Sequence, residues 1–61
     1  MDTTTRSLSL SLAQSAVLRG ELLIAHGSAD AVSSIILSDL IGRAATLEND
    51  IKRLIAARNP E

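Results

Sequence analysis

Sixty-one residues make one small domain at most, near the size at which a lone core is marginal. The chain has no cysteine and no Phe, Trp or Tyr, which excludes disulfides and thiolate metal sites and leaves small and aliphatic side chains to build the core. A formal net charge of -1 lacks the basic excess of a strongly electrostatic nucleic-acid binder.

The opening Met1-Asp2-Thr3-Thr4-Thr5-Arg6 has neither the basic start nor the long apolar stretch of a secretory signal. Residues 1–5 read as a polar, mobile arm. No apolar run approaches a membrane span in this reading, so a cytoplasmic protein with no membrane contact is expected.

Ser7 to Leu12 alternates serine with leucine. Period 2 predicts a short strand with Leu8, Leu10 and Leu12 on one face and Ser7, Ser9 and Ser11 on the other. The competing reading starts the following helix early, with Leu8 and Leu12 four apart, but it leaves Leu10 on the wrong side. A lone strand exposes a row of unpaired backbone groups. Its partner would be the same strand from a second copy, paired antiparallel about a two-fold axis.

From about Ala13 to His26 the period becomes helical, with Ala13, Ala16, Val17, Gly20, Leu23 and Ile24 on one stripe. Gly20 would admit a close neighbour. Gly27 is expected to close the helix in the left-handed conformation. His26 is the only histidine; with no second ligand or nucleophile at a recognisable spacing, it reads as a solvent-facing or capping residue.

Asp30 is the expected N-cap of a second helix, accepting backbone N–H bonds near Ser33. That helix carries Val32, Ile35, Ile36 and Leu40 on one stripe. Gly42 to Thr46 reads as a kink or a break. A tail from Leu47 to Arg58 resumes the helix, with a narrow stripe of Leu47, Ile51, Leu54 and Ile55 and with Glu48–Lys52 and Asp50–Arg53 as surface pairs. Asn59-Pro60 is expected to end it.

This order resembles the ribbon-helix-helix superfamily, and within it the ParD-type antitoxins. The resemblance rests on strand residues Leu8, Leu10 and Leu12, on Ile24-Ala25-His26-Gly27, and on Ser33 followed by Ile35-Ile36 and Leu40. It implies a mainly α fold with one short N-terminal strand, β-α-α plus a C-terminal helical tail, in an intertwined homodimer. Residues 1–45 would form the dimerisation and DNA-binding domain and 46–61 the helical tail. The dimer core would be Leu8, Leu10, Leu12, Val17, Ile24, Ile35, Ile36 and Leu40.

The function implied is that of an antitoxin-type repressor. Its ribbon would place Ser7, Ser9 and Ser11, with Arg6 at the end, in the major groove of double-stranded DNA, while Ser33 at a helix start holds a phosphate. The three serines read equally as the solvated face of an amphipathic strand. The tail, through Leu47, Ile51, Leu54, Ile55 and Arg58, would neutralise a ParE/RelE-type toxin, or would pack on its own dimer. The alternative is an all-helical, self-associating interaction module that binds a regulatory protein and not DNA. With no cysteine, no Gly-rich phosphate loop and carboxylates placed as caps and surface pairs, neither enzyme activity nor a cofactor is expected.

Overall fold

A computed structural model describes residues 2–58, which form two antiparallel helices. Helix α1 spans Thr3–Gly27 and helix α2 spans Ala31–Arg58. At 1.5 Å per residue these are rods of about 37 and 42 Å, and the hairpin measures 45 × 14 × 14 Å.

The expected N-terminal strand is a helix. Among the described residues there is no strand, so the ribbon, the ribbon-helix-helix fold and a dimer intertwined through it are all corrected. Asp2 caps α1, its Oδ1 accepting the Thr5 N–H at 2.7 Å, so Thr3 to Thr5 belong to the helix and not to a mobile arm. The serines meant for the outer face of the strand serve helical backbone instead: Ser11 Oγ donates to the Ser7 carbonyl at 2.9 Å, and Ser15 Oγ to the Leu12 carbonyl at 2.7 Å. The physical reason for the correction is a heptad. Thr5, Leu8, Leu12, Ser15, Arg19, Leu22 and His26 recur at alternating steps of three and four, and all are buried or half-buried against α2. Leu10, the residue that favoured a strand, sits on the outer face, 61% exposed.

Helix α2 answers with the same spacing: Ser34, Leu37, Ile41, Ala44, Glu48, Ile51 and Ile55 face α1. Such a period of 3.5 residues is the pattern of left-handed helix pairing. Asp30 caps α2 as expected, Oδ1 accepting the Ser33 N–H at 2.8 Å. Gly42 and Thr46 cause no break. The helix runs through them, Thr46 Oγ1 donating back to the Gly42 carbonyl at 3.0 Å.

The turn lies where the sequence places it, but its geometry differs. Gly27 ends α1 without a left-handed backbone, and no described residue has positive φ. Ser28 and Ala29 N–H groups close the last turn on the Ala25 and His26 carbonyls, at 3.2 and 3.3 Å. The stop at Asn59-Pro60 falls outside the described residues.

Candidate interaction surface

Polar side chains cross the hairpin at three heights. At the open end Arg58 Nη2 donates to Asp2 Oδ2 at 2.9 Å and its Nε reaches Thr5 Oγ1 at 3.4 Å. Midway, Arg19 Nε meets Glu48 Oε1 at 2.9 Å, and Lys52 Nζ approaches the other carboxylate oxygen at 3.7 Å. Near the turn, His26 Nε2 shares hydrogen bonds with Ser34 Oγ at 3.0 Å and Ser38 Oγ at 3.1 Å. His26 thus faces the second helix rather than solvent. The Arg19–Glu48 pair escapes sequence reading because its members are far apart in the chain. The available signal is the heptad, which places both on facing seams.

Three carboxyls are held below their ordinary range. Hydrogen bonds from the Thr5 backbone do this for Asp2 and from the Ser33 backbone for Asp30, while the Arg19 guanidinium does it for Glu48. A depressed folded pKa means that the unfolded chain takes up protons first as acid is added. These contributions are complete above the ordinary values of 3.8 and 4.5 and vanish as pH falls through the folded ones. We expect the thermal midpoint measured by circular dichroism to hold between pH 7 and 5 and to fall below pH 4; an unchanged midpoint at pH 3 would deny these carboxylates a role.

The proposed DNA-contacting residues do not share one surface: Ser7 and Ser11 stack one turn apart on α1, and Ser9 lies on its other side. Ser7, Ser9 and Ser11 wind around α1 at about 200° between successive members, and Arg6 lies beside them at the open end. Ser33 stands at the turn end, its N–H taken by Asp30. The proposed dimer-core residues also separate. Leu8 and Leu12 lie half-buried in the hairpin seam. Leu10, Val17, Ile24, Ile35 and Ile36 are exposed, and Leu40 is at the edge of the seam. Of the tail stripe, Ile51 and Ile55 face α1, Leu47 and Leu54 do not, and Arg58 closes the open end.

What the fold does assemble is a leucine-lined flank. Leu40, Leu47 and Leu54 repeat every seven residues along one edge of α2, and Leu18 occupies the matching edge of α1. Two adjoining clefts share Leu18 and Leu47: one extends to Leu8 and Ile51, the other to Leu22, Leu40 and Ala44. Together they make one apolar groove beside the seam. Ala44 is the only buried apolar side chain among the described residues, so the seam encloses little core by itself.

Continuity of α1 changes one further expectation. As a single helix, Thr3–Gly27 is long and apolar enough, by length and composition, to cross a membrane. Its inner face is nevertheless committed to charged partners on α2, Glu48 and Arg58.

No family model, no curated protein and no solved structure matches this chain.

Proposed function

We propose that this chain is a non-enzymatic helical interaction module, a hairpin that self-associates through the flank built from Leu18, Leu40, Leu47 and Leu54 and acts as part of a protein assembly. The observation that carries the reading is the exposure of that leucine row, 47% at Leu18 and 49% at both Leu47 and Leu54, beside a seam that buries almost nothing apolar. A leucine row continuous with a helix seam is the surface by which helical bundles add further helices. Monomeric proteins seldom leave such patches open.

The ribbon route to DNA goes with the ribbon. What supports the helical module over a catalyst is the use of the polar groups, since Asp2 and Asp30 cap helices and Arg19, Glu48 and Arg58 pair across the seam. Light scattering on a size-exclusion column over a dilution series tests the proposal. The expected result is a mass that rises with concentration to a multiple of 6.4 kDa. A species of monomer mass at every concentration, or protein recovered only with membranes, would overturn it.

A further inference from the structure

Resting on the reading of the leucine flank as an association surface, we propose that its occupant is a second copy of this chain lying side by side in the same direction. Two hairpins then form a four-helix bundle with both turns at one end and Glu21 of each copy beside Arg43 of the other.

Area supports an occupant of this size. A compact protein of 6.4 kDa exposes about 3,800 Å², whereas this chain exposes 4494 Å², an excess of about 700 Å². That is close to the ~800 Å² which each partner contributes to a standard interface. A second copy brings an identical groove, so one contact closes both.

Charge along the rims supports the direction. On α1, Gln14 lines one cleft and Glu21 follows it one heptad on, along the same edge of the helix; on α2, Arg43 lines the other cleft and Asp50 follows it one heptad on. Contacts across the hairpin, Asp2 and Thr5 with Arg58, Arg19 with Glu48 and His26 with Ser34 and Ser38, show that residues whose numbers sum to between 60 and 67 stand level. By that measure Glu21 is level with Arg43, and Gln14 with Asp50. Within one chain these residues lie on opposite rims. A two-fold axis along the bundle sets α1 of one copy against α2 of the other at unchanged height, about 8–10 Å between axes. Glu21 then meets Arg43, and the Gln14 amide can donate to Asp50, each twice. Glu21 has no cationic partner within 4 Å in its own chain among the described residues, while Arg43 already holds Asp39 at 3.0 Å and offers Glu21 its remaining donors.

The ends agree. Between residues 22 and 38 the only Asp, Glu, Lys or Arg is Asp30, and Ile24, Val32, Ile35 and Ile36 stand exposed around the turn. The open end carries Asp2, Arg6, Lys52, Arg53 and Arg58. Same-direction pairing keeps each end beside its like, whereas head-to-tail pairing lays Ile36 and Leu40 along the charged end.

Two variants of the full chain test this. Glu21→Arg is expected to weaken the dimer about 10-fold, and Glu21→Arg with Arg43→Glu to return it to within about 3-fold of the parent. With no native cysteine, Ser28→Cys takes a single spin label at the turn. Same-direction pairing predicts a label-to-label distance under about 25 Å, and head-to-tail pairing one approaching the 45 Å length of the rod. A dimer with the long distance, or one indifferent to Glu21→Arg, or one not restored by the double variant, overturns the geometry and leaves the association surface standing. A chain that is monomeric throughout overturns both.

Discussion

Replacing Leu47 with Asp is expected to abolish self-association and, with it, the cooperative thermal transition. Leu47 borders both clefts of the groove and stands at the centre of the leucine row. In a symmetric pair the substitution acts twice. Leu47 is 49% exposed in its own chain, so each copy forfeits about half of the 1.5–3 kcal/mol of a fully buried leucine, and each introduced carboxylate must remain hydrated or be buried without a partner, which costs more. A loss of about 3 kcal/mol corresponds to more than ~100-fold in Kd. The seam alone, with Ala44 as its buried apolar residue, leaves a two-helix chain of this size near the limit of independent stability. Equilibrium sedimentation should therefore find monomer, and circular dichroism a broad, non-cooperative melt. A variant that stays associated with a sharp transition would show that the flank is not the contact.

The second large effect is expected at Ala44→Leu. Ala44 and Ser15 are the most covered positions midway along the seam, 5% and 4% exposed. Small side chains at these seam positions allow the helices to come together there. Ala44 also lines the adjoining cleft, so three added carbons either splay the rods or enter the groove that the second copy fills, and overpacking of a filled position costs about 1–3 kcal/mol. For a domain of this length that is a fall in thermal midpoint of about 10 °C or more. Thr46→Leu, two residues on and exposed, is the control and should leave the midpoint nearly unchanged. Equal behaviour of the two variants would show that the seam has slack at Ala44.

Which features the sequence revealed follows from how local each signal is. Asp30 with Ser33, Glu48 with Lys52 and Asp50 with Arg53 lie within one helical turn of each other, and the structure pairs all three. The turn near His26-Gly27-Ser28 is likewise marked by adjacent residues. The N-terminal segment is different, because six residues span less than two helical turns, and Leu8 and Leu12 satisfy a strand face and a heptad seam equally. Only Leu10 separates the two readings. The helix pairs its backbone groups within one chain, whereas the strand needs a second copy to pair its own, and one leucine left in water is a small cost beside that. The resemblance to ribbon-helix-helix proteins rested on the same aliphatic positions and inherited the same ambiguity. Arg19 and Glu48, and Arg58 with Asp2, are separated by most of a helix or more. They become legible only once both helices are aligned in antiparallel register.

That register has a further consequence. An aliphatic zipper without rings or covalent ties slides easily, since one leucine is much like the next. In this hairpin a shift of one heptad would set the Arg19 cation against Ile41 and the Glu48 carboxylate against Leu12, or, in the other direction, Arg19 against Ile55. Either shift parts the Arg19 guanidinium from its carboxylate and sets it beside an aliphatic side chain, so the pair works as a notch and tooth that favours one alignment of the greasy rods.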